Sequence, residues 1–296
     1  MLRRSVGIYI SIVFALAHAV AAETTGSRPA LSAAEIVAKN VAARGGLEAW
    51  RAVQTMSLAG KLGAGGNQRP TLAVPNQAPR AGQQFASSRP AEEVQLPFVM
   101  ELKRPRKLRF ELQFNGQNAV QIFDGAQGWK LRPFLGRRVV EPYTPEEMKV
   151  ASAQAELDGR LVDYAAKGTR VELVGTEKVE DRNTYKIKLT MKTGEAIHVW
   201  IDAETFLESK IEGQPRRLDG TYHPVEVYFR DYRQVNGLQI PFVLETKVLP
   251  VTKTVLGFKD PPVPPEKIVL EKVVVNPKLD ETLFAKPAIE VASNAK

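Results

Sequence analysis

Three histidines occur in the 296 residues, and two of them, His198 and His223, stand in the body of the chain. A hydrolase built on either one needs a nucleophile within its reach and donors for the developing oxyanion. His198 falls in an alternating run beside Trp200, with Ile197 and Val199 directed to the opposite face, and His223 precedes Pro224 at a strand start. Both read as surface or structural histidines. Glu92-Glu93 and Glu146-Glu147 are adjacent carboxylates, and neighbours on a strand or helix diverge instead of converging on one substrate atom. The sequence contains no H-E-x-x-H zinc motif, G-x-S-x-G elbow, Walker A loop or G-x-G-x-x-G fingerprint. Cysteine is absent, which excludes disulfides, thiolate metal sites, a cysteine nucleophile and acylation at a lipobox cysteine. The expectation is a protein that is no enzyme, with no catalytic residue, no metal ligand and no cofactor. An envelope hydrolase using His198 or His223 is the least favoured alternative.

Without chemistry to place, the question becomes where the chain goes and what its elements can hold. Arg3 and Arg4 precede a short apolar run from Val6 to Ala17, and small residues follow at Ala19, Ala21 and Ala22. This is the pattern of a cleaved secretory signal, and the run falls short of the ~20 residues a membrane span needs. Residues 1–22 are therefore expected to leave, delivering a soluble chain to the periplasm. Loss of Arg3 and Arg4 lowers the net charge from +8 to +6. Basic concentrations lie at Lys103-Arg104-Pro105-Arg106-Lys107 and Arg137-Arg138. Export argues against nucleic acid as their partner. Anionic lipid headgroups, an acidic envelope protein, or a strand edge guarded by cations all fit.

Ser32 with Glu35 three residues later makes a capping box for a helix carrying Ile36, Val37, Val41 and Ala42 on one face, stopped at Gly45-Gly46. Leu47 to Val53 forms a second short helix with Trp50. The period then changes to two. Strands are predicted over Met56–Leu62, Val94–Leu102, Leu108–Phe114, Ala119–Phe123 and Gly128–Leu131; Arg170–Val174 then leads into Tyr185–Met191, Ile197–Ile201 comes next, Leu207 and Ile211 follow, and Val225–Phe229, Ile240–Val248 and Ile268–Val275 complete the meander. Asn115-Gly116, Asp124-Gly125, Thr193-Gly194 and Asn236-Gly237 mark turns, the Asn-Gly and Asp-Gly pairs with positive φ at both central residues. Thr144 caps a helix from Pro145 to Ala166, either continuous or broken at Gly159. Residues 63–90, rich in Gly, Pro and Gln, and the Pro-rich 250–265 read as flexible insertions, and 288–296 as a disordered tail. Asp280 to Phe284 is expected to dock the C-terminus as a short turn.

About ten or eleven antiparallel strands give a sheet roughly 50 Å across, with one polar and one apolar face. Two or three helices ~10 Å wide do not cover that width. The expected fold is mainly β: a large sheet curled part-way around its helices as an unclosed half-barrel, in a single domain over 23–287. Alternation places Phe98, Met100, Phe110, Leu112, Ile187, Leu189, Val199, Val227, Phe229, Phe242 and Leu244 on the apolar face. Trp129, on the Asp124-Gly125 hairpin, is a staple beneath the turn or a residue at the trough mouth. Tyr228 and Tyr232 share a face with Arg230, read as an outer, stacked face. The apolar set packs a dry core or lines a trough for acyl chains.

The segment from Ala34 through Gly45-Gly46-Leu47-Glu48-Ala49-Trp50 resembles the opening of periplasmic proteins related to the lipoprotein carrier LolA. So do Lys103 to Arg109, the Phe123-Asp124-Gly125 to Gly128-Trp129 hairpin, Tyr228-Phe229-Arg230-Asp231-Tyr232 through Asn236 to Pro241, and Asn276-Pro277 with Leu283-Phe284 and Pro287. The resemblance implies an unclosed barrel lidded by helices, a cavity shielding acyl chains, and a lipid or acylated lipoprotein as partner. Inner- or outer-membrane envelope proteins are further partners it implies, and a monomer is expected. The superfamily also contains lipid-sensing regulators of the RseB type, so sensing or docking without transport is the alternative. The chain departs from the carrier in its length, in both insertions and in lacking the receptor's lipidated cysteine. No counterpart of the carrier's lid-latching arginine aligns, so that role is assigned to no residue.

Overall fold

The computed structural model describes residues 31–64, 93–133, 137–218, 221–251 and 264–287. The elements below belong to the unit that begins at Ser32. The expected signal segment, the tail from 288, and most of the two expected insertions lie outside the described residues.

Both helix starts that the sequence marks are capping boxes. At α1 (Ala33–Ala43) the Ser32 N–H donates to Glu35 at 2.8 Å, and the Glu35 N–H returns to Ser32 Oγ at 3.3 Å. At α3 (Pro145–Gln154) Thr144 and Glu147 do the same at 2.8 and 3.2 Å. Between them lies α2 (Leu47–Ala52). The predicted helix to Ala166 is corrected: α3 stops at Gln154, and 156–168 is a succession of turns, with Asp163, Gly159 and Gly168 at positive φ. Helical spacing of Leu161 and Val162 does not outweigh those reversals.

Among the described residues, thirteen strands form one antiparallel sheet. They are β1 (Thr55–Ala64), β2 (Val94–Lys103), β3 (Lys107–Phe114), β4 (Gln117–Phe123), β5 (Gly128–Arg132), β6 (Arg137–Pro142), β7 (Arg170–Val179), β8 (Arg182–Thr190), β9 (Ala196–Asp202), β10 (Glu208–Leu218), β11 (Thr221–Val235), β12 (Leu238–Val248) and β13 (Glu266–Val275). Their spatial order is β6-β5-β4-β3-β2-β1-β13-β12-β11-β10-β9-β8-β7. Two meanders thus meet along β1 and β13, and the sheet ends in open edges at β6 and β7 instead of closing. The half-barrel expectation holds.

The strand count exceeds the expected ten or eleven. β6 had no alternating signature, and β1 runs through Gly63 and Ala64, which composition had assigned to an insertion. The β7–β8 hairpin turns on Glu180 and Asp181, both at positive φ (49° and 67°), without the Asn-Gly signal. Asn115-Gly116 and Asn236-Gly237 have both residues at positive φ, as predicted. At Asp124-Gly125 only the glycine does. Asp124 Oδ1 instead accepts from the N–H groups of Ala126 (2.8 Å) and Gln127 (2.7 Å), an Asx turn.

Among the described residues, α1 and α3 lie on one face of the sheet. Lys130, in register with Gln121 and through it with Phe110, pairs with Glu147 of α3. At the other end, Asn40 of α1 donates to the Phe206 carbonyl at 2.8 Å, and the Phe206 ring stacks on Tyr185, the register partner of Ile201. Strand pairing connects Phe110 to Ile201 without changing face, so the helices roof the concave, apolar side.

Candidate ligand trough

Register settles which apolar residues lie together. One row across the concave face runs Phe110, Met100, Leu58 and Val273. The next runs Leu112, Phe98, Gly60 and Leu270, and a third runs Leu96, Leu62, Ile268, Leu244 and Phe229. Gly60 lets the two meanders approach here. A Cβ at that position would lie 2.1 Å from the Val269 carbonyl oxygen, beside the register shift at Ala59/Gly60.

The predicted apolar positions separate into two groups. Ile187, Leu189 and Val199 are sealed at 0–1% exposure beneath the α1 end of the roof, and Phe98 and Phe242 are buried as well. Met100, Phe110, Leu112, Val227, Phe229 and Leu244 remain half-buried, as do Leu58, Leu62 and Ile268 in the same rows. The β8–β9 end of the face is thus sealed, while the central rows mix buried Phe98 and Leu270 with half-buried neighbours.

Trp129 does not join them. It pairs with Ile122, whose partner is Arg109, on the convex face, where Arg109 donates to the Leu283 carbonyl of the C-terminal turn Glu281–Phe284. That turn docks as expected, burying Phe284.

The convex face carries its own cluster of Trp200, Tyr228 and Val179. Lys210 sits 4.0 Å above the Trp200 ring, Lys247 4.1 Å and the Arg230 guanidinium 5.3 Å from the Tyr228 ring, so the expected outer stack holds for Tyr228 and Arg230. It fails for Tyr232. Asp231 takes φ +52° between them, alternation lapses, and the Tyr232 hydroxyl donates to the Glu208 carbonyl at 3.0 Å. Glu208 pairs in turn with Arg44 at 3.3 Å. Burial, with Glu208 alongside, holds the Tyr232 hydroxyl well above the ordinary tyrosine range.

Among the described residues, neither histidine bonds a serine, threonine or tyrosine hydroxyl. His198 Nδ1 lies 3.0 Å from Glu212, and buried His223 lies 3.1 Å from the Leu249 carbonyl. Glu147 is committed to Lys130, while Glu146 is exposed. Among the described residues no three His, Cys, Asp or Glu side chains converge as metal ligands.

The basic run at 103–107 has an internal purpose. Lys103 and Lys107 both pair with Glu281 at 2.6 Å, fastening the C-terminal turn. Arg104 donates to the Val53 carbonyl (2.7 Å), the Trp50 carbonyl (3.2 Å) and Asp158 (2.8 Å). Lys167 reaches the same buried carboxylate at 2.7 Å. Asp158 thereby joins α2, the β2–β3 turn and the roof segment. Side chains of Arg137 and Arg138 lie outside the described residues.

Sequence reasoning missed one apolar cleft. A cleft of about 600 Å³ opens between α1 and residues 161–166, lined by Val37, Val41, Leu47, Leu161 and Tyr164 among others. None of the predicted trough residues borders it. Its walls depend on the turns that replaced the expected helix; the one visible signal is Ala34, Ala38 and Ala42 at four-residue spacing, beside the core face of α1. Among the described residues no helix is long and apolar enough to cross a membrane.

No protein-family model matches the chain, and no curated protein matches it by sequence. Solved structures do resemble it. A DUF1329 family protein from Desulfovibrio piger is similar at TM-score 0.52 and 12% identity, over 88% of this chain and 99% of that one. A LolA superfamily protein from Nitrosomonas europaea follows at TM-score 0.49 and 13% identity, over 87% and 99%. A putative outer membrane lipoprotein-sorting protein domain from Vibrio parahaemolyticus gives 0.49 and 12%, over 86% and 96%. At such identities the likeness is one of fold, and the first of these carries it.

Proposed function

We propose that this chain is a non-enzymatic carrier of the bacterial periplasm that holds the acyl chains of a lipid or of an acylated lipoprotein in the concave trough. The observation that supports this reading is the half-buried set of Met100, Phe110, Leu58, Leu62 and Leu244, which strand pairing places together on the apolar face. Contiguous apolar surface left in contact with water carries a free-energy cost, and each methylene an acyl chain buries there contributes about 0.8 kcal/mol. Non-directional contacts of this kind suit a cargo defined by greasiness more than by shape. The residue pattern that resembles the LolA group points the same way. The reading assigns no metal or cofactor, and export and the envelope location belong to it.

The test is native mass spectrometry of protein taken from the periplasm, together with titration of a fluorescent diacylglycerol. The carrier reading requires co-purified lipid and saturable binding that Met100→Asp or Leu244→Asp weakens. Protein free of lipid, with no binding of the probe, rules it out.

A further inference from the structure

A polar cleft of about 350 Å³ lies where α3 and the turns after it meet the β2–β3 and β8–β9 turns. Its cations come from three separate stretches of chain. Arg106 belongs to the β2–β3 turn, Lys149, Arg160 and Lys167 to α3 and the turns after it, and Lys192 to the β8–β9 turn. Two carboxylates face the same space, Glu156 and Glu195. Five cations less two carboxylates leave +3 around one concavity.

The internal pairings do not use up that excess. Lys149 is matched to Glu195 at 2.8 Å, and Lys167 to Asp158 at 2.7 Å with Glu156 at 3.9 Å. Arg106 bonds only neutral acceptors, the carbonyl and hydroxyl oxygens of Ser152 at 2.8 and 2.6 Å. Arg160 and Lys192 make no hydrogen bond or ion pair with any described residue, although Arg160 lies near enough to Glu195 to help lower its pKa. Like charges drawn together from distant segments repel one another, and a concave site concentrates their field. The complement of such a site is an anion with several acceptor oxygens, which guanidinium groups bind in a fork and hydroxyls such as those of Thr169 and Thr193 extend.

We propose that this cleft is a subsite for a phosphate group, and that the phosphate is the headgroup of the lipid whose acyl chains occupy the trough. The inference rests on the lipid-carrier reading for the source of the phosphate. α3 relates the two volumes: Glu147 fastens it to Lys130 of the concave face, while Lys149 and Ser152 line the cleft. The trough supplies affinity for any acyl chain, and the cleft makes the protein prefer phosphorylated over neutral lipid.

The experiment compares the full chain with the Arg160→Gln/Lys192→Gln double variant, whose side chains hold no described partner and so leave the fold intact, as a melting curve verifies. Three probes are titrated: fluorescent diacylglycerol, phosphatidic acid bearing the same chains, and inorganic phosphate alone. The wild type is expected to prefer phosphatidic acid, and the double variant to lose about tenfold per cation removed on that probe while binding diacylglycerol unchanged. Equal affinity of the wild type for the two lipids overturns the proposal while leaving the carrier reading standing, and so does a preference that survives in the double variant. Tight binding of inorganic phosphate without lipid preference overturns the headgroup assignment. Failure of the wild type to bind diacylglycerol tells instead against the carrier reading.

Discussion

Replacing Asp158 with Ala removes a carboxylate whose side chain is 5% exposed and which receives two cations, Arg104 at 2.8 Å and Lys167 at 2.7 Å. Deleting one partner of a fully buried ion pair costs about 3–5 kcal/mol, because the remaining charge is left unmatched. Here the remaining cations are partly wet, Arg104 at 31% and Lys167 at 23% exposure, and each retains other acceptors. Arg104 still has the Val53 and Trp50 carbonyls, and Lys167 the Gly159 carbonyl at 2.6 Å. Screening and those retained bonds reduce the expected loss to roughly 2–3 kcal/mol. With a urea m-value of about 2–3 kcal/mol/M, the midpoint falls by about 1 M at unchanged slope. Asp158→Asn, which keeps one acceptor, should lose less, and hydrogen exchange should show lost protection in α2 and in 156–168 before the sheet opens. A midpoint shift below about 0.3 M in Asp158→Ala refutes the idea that this carboxylate fastens the roof to the β2–β3 turn.

Asp202 is held well below the ordinary aspartate range; burial opposes this, but the Arg182 guanidinium and the N–H groups of Thr205 and Glu204 outweigh it. A depressed folded-state pKa contributes stability above the unfolded value of about 3.9 and loses it as pH falls toward the folded value, so acid unfolding measured by circular dichroism should lose its steepness below about pH 4 in Asp202→Asn. Gly60→Ala, with its Cβ against the Val269 carbonyl, should destabilise by about 2–3 kcal/mol in chemical denaturation, and a neutral result refutes the close approach of the two meanders. Gly128→Ala should displace the Tyr143 ring, 1.9 Å from the added carbon, seen as a changed near-ultraviolet circular dichroism spectrum. If the carrier proposal holds, Met100→Asp weakens binding of the fluorescent diacylglycerol at least about tenfold, with a smaller effect on melting because the site is half-buried; unchanged binding removes Met100 from the proposed trough.

Where sequence periodicity was regular, it located elements and faces well. Leu108, Phe110, Leu112 and Phe114 share a face in β3, and Ser32 and Thr144 begin helices, because alternation and capping are local effects. Legibility failed where a positive φ falls on an ordinary residue. Asp231 redirects Tyr232 toward Glu208, Glu180 and Asp181 form an unannounced hairpin, and Asp163 helps end what spacing read as a helix. The choice for Trp129 between a staple and the trough mouth stayed open in the sequence because only its pairing with Ile122 identifies its face. Of the apolar set, the sequence could not separate Ile187, sealed under the roof, from Phe110, left half-covered. Both alternate identically, and the difference lies in where helices distant in sequence come to rest.

The seam between β1 and β13 joins the first strand of the sheet to the last. Each meander can zip up from neighbouring hairpins as it emerges, but neither has a partner for its inner edge until the final strand has been made. That exposed pair of edges must wait for a contact spanning more than two hundred residues, Met56 with Val275. Such long-range closure is intrinsically slow and leaves the intermediate open to association with other chains. A chain cut short before Glu266 therefore yields two separate curled sheets with sticky margins, and the trough, whose rows cross the seam, comes into being only with the last step of folding.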